Sequence, residues 1–218
     1  MSRALVFLNS SVGKKIVMAV TGIILSLFIL GHMTGNLLVF KGPEAMNRYA
    51  AFLQGLGSGL WAIRLVLLAS VGLHVWAYLT TMTESLNARP VGYRKTAYQE
   101  SDLAARTMRW TGPILAVFIV FHLMHFTIGN VHPSFKHLDA YGNVVRGLSV
   151  VPVGLFYVVA MACLAVHTWH GTWSMLQTLG LSHPRFDPVR KKIAVVFTLL
   201  VAGGFVAVPL AVLFGAIQ

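Results

Sequence analysis

Charged side chains are scarce in this chain, and acidic ones are the scarcest. Only 11% of the 218 residues are charged, with 6 Asp and Glu against 17 Lys and Arg. A soluble domain carries roughly 25% charged residues, so this chain has less than half the usual supply. This shortage argues against a soluble globular fold. Together with 56% hydrophobic residues, it indicates an integral membrane protein.

Cysteine is almost absent as well, since the chain has one, Cys163. A single cysteine excludes an internal disulfide. The net charge of +11 would suggest nucleic-acid binding in a soluble protein. In a membrane protein, basic residues mostly set the orientation. We therefore expect a lipid bilayer and no nucleic acid as a partner.

Five apolar stretches are long enough to cross a hydrocarbon layer, which needs ~20 helical residues. The sequence predicts an all-α fold, with a single domain over residues 1–218 that forms an integral membrane bundle of five transmembrane helices. The predicted spans are roughly residues 16–40, 60–82, 110–129, 150–179 and 193–217.

The basic residues divide unevenly between the two sides of the predicted membrane. One side has 12 Lys and Arg in its connections, and the other has 5. Connections rich in Lys and Arg face the cytoplasm. This predicts a cytoplasmic N-terminus and an outer C-terminus. We call the predicted cytoplasmic side the inner face and the opposite side the outer face.

Two connections on the predicted outer face contain more than a tight turn. Residues 44–59 are predicted to form a short amphipathic segment that ends in a glycine-rich turn. Residues 131–147 form the second outer loop, in which His132 and His137 are predicted to be solvated.

Four of the predicted spans each contain a histidine well inside the apolar stretch. An ionisable residue at membrane depth is costly, and such residues mark bound groups or charge pathways. One histidine on each of four helices suggests two pairs of axial ligands. These histidines are His32, His74, His122 and His167.

Depth along each helix sorts the four histidines into two layers. His32 and His122 lie 8 and 7 residues from the outer ends of their spans, which is ~10–12 Å at 1.5 Å per residue. His74 and His167 lie 14 and 15 residues from theirs, or ~21–23 Å deep. This predicts an outer pair, His32 with His122, and an inner pair, His74 with His167.

Two stacked bis-histidine haems would account for this arrangement. The sequence contains no CxxCH, so the predicted b-type haems are bound non-covalently. A structural role and a different metal both stay open as alternatives. A single membrane histidine is often only an interhelical hydrogen bond, and imidazoles also bind zinc or copper. Such metal sites usually include carboxylate or thiolate ligands, which the spans nearly lack.

Two further histidines lie near the predicted ligands. His125 and His170 each follow a predicted ligand by three residues, so they lie on a similar helix face. His125 is only 4 residues from the outer end of its span, and His170 lies 18 residues from Pro152, near the opposite boundary. Depth therefore argues against iron ligation, and we assign them at most a supporting or quinone-side role.

At these residues the chain resembles the cytochrome b membrane-anchor subunit of succinate dehydrogenase and fumarate reductase, in its single-chain, five-helix, di-haem form. The similarity covers nearly the whole chain, and its specificity lies in the four histidine motifs taken together. The matching segments are LGHMTGNLLVFKG, GLHVWAYL, VFHLMHF and AVHTWHGTWSMLQTLG, with GPEAMNRYA in an outer connection.

The resemblance implies a role for each histidine pair and a set of partners. His74 and His167 would hold the haem nearer the iron–sulfur subunit, and His32 and His122 the distal haem. A flavoprotein subunit and an iron–sulfur subunit would bind on the cytoplasmic side of a prokaryotic cytoplasmic membrane. The chain would be a non-catalytic electron-transfer subunit, without dicarboxylate chemistry of its own, that serves menaquinone or another quinone.

At one position the chain departs from the pattern of that family. Some members of that family carry a glutamate two residues before the fourth ligand, linked to transmembrane proton movement, and this chain has Ala165 there. A proton route through that position is therefore unsupported. Glu44 is the nearest acidic candidate for an outer quinone site, although a plain solvated carboxylate is the simpler interpretation.

Several polar and basic residues could serve the predicted cofactors and partners. The inner-face connections 87–109 and 182–192 are predicted docking surfaces for the soluble subunits, and their charges also set orientation. The candidate partners for haem propionates are equally suited to anchoring the chain at the interface. They are Arg64, Arg106, Arg109, Ser26 and Ser70.

Two different functions would also use histidines in membrane helices. One is a cytochrome b anchor for a different quinone-linked dehydrogenase, such as a hydrogenase or formate dehydrogenase. The second is a transporter with histidine-lined sites, which would carry no haem.

Overall fold

The computed structural model describes residues 3–88, 91 and 103–218, and the regular structure within them is helical throughout. A 3-10 turn, Leu37–Lys41, extends α2, and a π-helical turn, Leu123–Ile128, extends α5. The helices are α1 (Arg3–Asn9), α2 (Ser11–Asn36), α3 (Pro43–Gly55), α4 (Ser58–Asn87), α5 (Leu103–His122), α6 (Ala140–Leu148), α7 (Val151–Thr178) and α8 (Asp187–Leu213).

Five of these helices are long and apolar enough to span a membrane: α2, α4, α5, α7 and α8 with their extensions. Their outward surfaces carry large apolar side chains that are about two-thirds exposed, such as Leu27 at 67% and Leu199 at 68%. Such surfaces are stable against lipid and not against water. The predicted all-α, five-span fold is confirmed. Which end of the bundle faces the cytoplasm stays a prediction.

Three of the predicted spans begin too late in the sequence. Residues 16, 110 and 193 are the predicted starts, whereas α2 begins at Ser11, α5 at Leu103 and α8 at Asp187. The apolar stretch marks only the part of a helix that lies in hydrocarbon. The polar turns that precede it can remain helical when their ends are capped: at α2, Ser10 accepts the Gly13 N–H at 3.0 Å, which is a typical N-cap bond.

Two of the predicted span ends are also wrong. α4 continues to Asn87, five residues beyond the predicted end, and α8 ends at Leu213 instead of residue 217. The third span ends within one residue of the prediction. There Gly129 takes the left-handed conformation (φ 83°), and its N–H donates to the Met124 carbonyl at 2.9 Å. Glycine adopts this conformation without steric cost.

α7 is central to the bundle. It packs against α8, α5 and α2, and α2 also packs against α4 and α8. At mid-height the Thr168 hydroxyl lies 3.2 Å from that of Thr198, which joins α7 to α8. Near the inner face, an ion pair between Lys14 and Glu84 joins α2 to α4. α4 therefore packs mainly on α2, and α5 mainly on α7.

The main buried cluster lies in the outer half of the molecule. It includes Val39 after α2, Leu148 in α6, Tyr157 in α7 and Val212 in α8. Nearly all of α6 lies in the segment 131–147, for which the sequence predicts only a loop. It contacts α3, so the two short helices form one cap over the outer end of the bundle.

Polar contacts hold this outer cap together. The Tyr141 N–H donates to Asn47 Oδ1 at 2.9 Å, which ties α6 to α3. Asp139 caps α6 by accepting the Gly142 N–H at 3.0 Å, and Arg146 donates to the same carboxylate at 2.9 Å. The segment 44–59, predicted only to be amphipathic, forms most of α3 and the turn after it, and Glu44 within it is exposed and paired with Arg48.

The ion pair between Asp139 and Arg146 leads to a pH-dependent prediction. The hydrogen bond from Arg146 lowers the pKa of the Asp139 carboxyl below its ordinary value. Stability from this carboxylate is therefore fully present above the unfolded pKa of ~3.9 and is lost as the pH falls through the folded pKa. In Asp139→Asn the cap is kept, because an amide oxygen also caps a helix, and only the charge is lost.

We expect Asp139→Asn to lower the midpoint of thermal unfolding in detergent at pH 7. A half-exposed ion pair contributes less than about 1 kcal/mol, so the change is small. The difference from the native chain should shrink as the pH falls below about 4. A difference that stays constant with pH would show that the lost charge is not its cause.

Candidate functional site

The structure brings His74 of α4 and His167 of α7 together. Their ring centroids are 6.3 Å apart, and their planes are tilted by 56°. Two glycines on neighbouring helices face these rings. A Cβ at Gly22 would lie 3.7 Å from His74 Cε1, and one at Gly112 would lie 3.9 Å from His167 Cε1. Glycine at these positions leaves more space beside each imidazole than any other residue.

His32 of α2 and His122 of α5 also lie together. Their ring centroids are 5.8 Å apart, and the rings are nearly perpendicular, with planes at 83°. Phe28 stacks on His32 at 5.3 Å, and Phe118 lies 5.8 Å from His122. Each imidazole of this pair thus packs against a phenylalanine ring on its own helix.

Each of these pairs joins two helices that are not close packing partners. α4 packs mainly on α2, and α5 mainly on α7, so neither histidine pair lies at one of the main helix–helix contacts. The four imidazoles lie at mid-bundle, yet all four side chains are half-buried. Each of the four side chains therefore keeps part of its surface uncovered by protein atoms.

This spacing fits two imidazoles that bind one metal ion from opposite sides. A metal–nitrogen bond of about 2 Å on each side, with the distance from nitrogen to ring centre added, places the centroids about 6 Å apart. The observed values of 5.8 and 6.3 Å agree with this. Two imidazoles in direct hydrogen bond would lie closer together, so the donor set and spacing fit a bis-histidine haem.

One hydrogen bond fixes which nitrogen of His74 is free. The Thr21 hydroxyl lies 3.0 Å from His74 Nδ1 and donates to the Val17 carbonyl at 2.7 Å. Because its proton is used there, the hydroxyl oxygen accepts from Nδ1–H. Nε2 of His74 then carries the lone pair that a metal requires. This outer hydrogen bond is the usual orienting device for a histidine ligand.

A second network lies beside the outer pair. The Tyr157 hydroxyl lies 3.4 Å from His122 Nδ1 and 3.0 Å from His125 Nδ1. The His125 ring also stacks on His132, with centroids 4.9 Å apart. His125 has no exposed surface. It is enclosed by protein, unlike the four half-buried imidazoles, which supports its assignment to a supporting role.

The prediction that His132 is a solvated loop histidine is wrong. His132 is buried; its Nε2 donates to the Asn143 carbonyl at 2.8 Å, and its Nδ1 accepts the Ser134 N–H at 3.0 Å. Both nitrogens are satisfied by residues of the loop and α6, which the sequence did not predict to be a helix. His137 is exposed as predicted.

A conventional zinc or copper site finds no support in the part of the chain that the structure describes. There, no group of three or more His, Cys, Asp or Glu side chains is positioned to hold a metal ion. The histidines at mid-bundle therefore occur as pairs. Cys163, the only thiol of the chain, is half-buried.

The predicted propionate partners have different surroundings. Arg106 and Arg109 are exposed, Ser26 is half-buried, and Ser70 is buried. Arg64 is half-buried and stacks over the Trp61 ring at 5.0 Å.

Sequence reasoning missed Thr21, Tyr157, Trp173 and Arg190. Of these, Arg190 was counted as a loop charge, although it lies in the first turn of α8 and is only 4% exposed. The pair Asp187–Pro188 was the available signal, because an acidic residue and a proline are both common in the first turn of a helix. Most of the predicted docking loop 87–109 lies outside the described residues, which omit 89–90 and 92–102.

Comparison with known proteins gives one family. The model for the succinate dehydrogenase/fumarate reductase transmembrane subunit matches residues 85–207, which is more than half of the chain. The match includes His122 and His167, one histidine from each pair, and begins after His32 and His74. Neither a search of curated proteins nor a search of solved structures finds a significant match.

Proposed function

This chain belongs to the succinate dehydrogenase/fumarate reductase transmembrane subunit family, and on that premise we propose that it is a di-haem cytochrome b anchor. In this role His74 and His167 hold an inner haem, and His32 and His122 hold an outer one. The whole chain, residues 1–218, serves as a single multi-pass membrane domain. Its setting is a prokaryotic cytoplasmic membrane, with the N-terminus on the cytoplasmic side.

The observation that carries this proposal is the paired spacing of the histidines. Two separate pairs lie near 6 Å between ring centroids, and each bridges helices that do not pack closely on one another. Unrelated interhelical contacts would not be expected to give the same spacing twice. Two bis-histidine cofactors would require it, once in each half of the membrane.

When bound, haems held by two histidines each would supply one-electron transfer and not oxygen or substrate chemistry. The protein's part is to position the ligands. The Thr21 hydroxyl accepts a hydrogen bond from His74 and keeps its Nε2 available. Phe28 and Phe118 restrict the rotation of His32 and His122.

The proposed partners follow from the family and from the charge distribution. A flavoprotein subunit and an iron–sulfur subunit would bind at the inner face, where 12 of the 17 Lys and Arg lie in the predicted orientation. The chain would carry electrons between the iron–sulfur subunit and a membrane quinone, menaquinone or another. Dicarboxylate chemistry would belong to the flavoprotein subunit.

A reduced-minus-oxidised absorption spectrum of the purified protein tests this proposal. We expect b-type haem bands and a haem content of two per chain, because there are two histidine pairs. A flavoprotein subunit should co-purify, whereas a hydrogenase anchor would bring a subunit with a metal centre. Absence of haem absorbance would overturn the proposal and favour a histidine-lined transporter.

A further inference from the structure

Arg190 is a buried cation whose hydrogen-bonding capacity is only partly used. It lies in the first turn of α8 and is 4% exposed. Its Nη2 donates to the Asp187 carboxylate and, at 3.4 Å, to the Ser182 hydroxyl. A guanidinium carries five N–H donors. Nε and Nη1 are buried and have no acceptor among the described residues.

Trp173 places another unused donor beside this guanidinium. Arg190 Cζ lies 5.8 Å from the centroid of the Trp173 ring. The indole Nε1 is also buried without an acceptor in the described part of the chain. Neither group can accept a hydrogen bond. Because buried donors without acceptors are costly, these donors require an acceptor, and the positive charge favours an anionic one.

The position of this cluster is defined by the contact between α7 and α8. Thr168, next to His167, meets Thr198, and Arg190 precedes Thr198 by eight residues, or ~12 Å along α8. Trp173 follows His167 by six residues, or ~9 Å along α7. Arg190 and Trp173 therefore lie between the inner histidine pair and the inner face.

We propose that Arg190 and Trp173 form a carboxylate site, and that its ligand is a propionate of the haem held by His74 and His167. This inference rests on the proposed function. A guanidinium matches the geometry of a carboxylate through two parallel N–H donors. At 4% exposure, Arg190 is closed to an acidic side chain from a docked subunit. A propionate reaches it from within the bundle.

The test is the midpoint potential of each haem, measured by spectroelectrochemical titration of the purified complex. Arg190→Met removes the positive charge at nearly constant side-chain length. It should shift the inner haem to a more negative potential, because loss of a nearby cation favours the more positive ferric state. The potential of the outer haem should not change. Arg190→Lys keeps the charge and should give a smaller shift.

The contribution of Trp173 has a matched control on the same helix. Trp173→Phe removes the indole N–H and keeps an aromatic ring, so it should shift the inner haem in the same direction as Arg190→Met. Trp169→Phe makes the identical change at a residue that is 44% exposed, and it should leave both potentials unchanged. These variants also give a result if Arg190→Met fails to assemble.

A double variant assigns the effect to the correct haem. In a His74→Ala background, which is expected to lack the inner haem, adding Arg190→Met should leave the potential of the remaining haem unchanged. If Arg190→Met alone moves neither potential while both haems are present, the inference is wrong. Unchanged potentials with dissociated soluble subunits would also overturn it and indicate a partner's carboxylate. A wild-type protein without haem would instead refute the proposed function.

Discussion

His74→Ala should reduce the haem content from two to one per chain and abolish electron transfer from succinate to quinone. The substitution removes one of the two imidazoles that would hold the inner haem, and His167 alone would bind it more weakly. Succinate oxidation assayed with an artificial acceptor should persist, because it occurs in the soluble subunits. The variant would therefore still oxidise succinate but would no longer pass the electrons to quinone.

The measurements are the haem content of the purified complex and the ratio of the two activities. His137→Ala is a suitable control, because His137 is an exposed loop histidine whose loss should change neither. Thr21→Val tests orientation alone: it keeps His74 and removes its hydrogen-bond partner, so it should weaken haem retention, by about 10- to 100-fold in affinity. Retention of two haems in His74→Ala would contradict the proposed ligand set.

The histidine pairing was predictable from the sequence because helix geometry is regular. A rise of ~1.5 Å per residue converts position along a span into depth, and it gave His32 and His122 matching depths without any tertiary information. The five spans were predictable for a similar reason, since apolar length alone determines them. Their ends were not, because polar helical turns continue beyond the hydrocarbon.

Burial in the loops and at the helix ends depends instead on contacts between distant parts of the chain. His132 is buried because Asn143, eleven residues away, accepts its N–H from within α6. Arg190 is buried because Trp173, on another helix, lies against it. Each looked like an ordinary loop residue in the sequence. Local periodicity carries no information on such contacts.

The two histidine pairs differ in what surrounds them. The inner pair is bordered by Gly22 and Gly112. One of its members, His74, is hydrogen-bonded through Nδ1 to the Thr21 hydroxyl. The outer pair lies beside the buried cluster that contains Phe118 and Tyr157. The outer pair also has a third histidine close by, because His125 shares the Tyr157 hydroxyl with His122. The ligand assignment there can be tested by removing single imidazoles.

His122→Ala should remove the outer haem and His125→Ala should not, although the two residues are only about one helical turn apart. His122 is half-buried and faces His32, whereas His125 has no exposed surface and contacts Tyr157 and His132. We expect His122→Ala to lose one haem. His125→Ala should keep two and instead lose stability, on the order of 2–5 kcal/mol as for other large-to-small core substitutions.

Haem content and the midpoint of thermal unfolding, measured on both variants, separate the two effects. His125→Gln keeps a polar side chain in the same pocket and provides the comparison if His125→Ala does not accumulate. If His125→Gln loses a haem while His122→Ala keeps both, then His125 is the ligand and His122 is the supporting residue. The outer iron would then lie nearer the membrane boundary than helix depth indicates. The surroundings of the two residues argue against that, because His122 faces His32 while His125 is enclosed by α6, α7 and the outer loop.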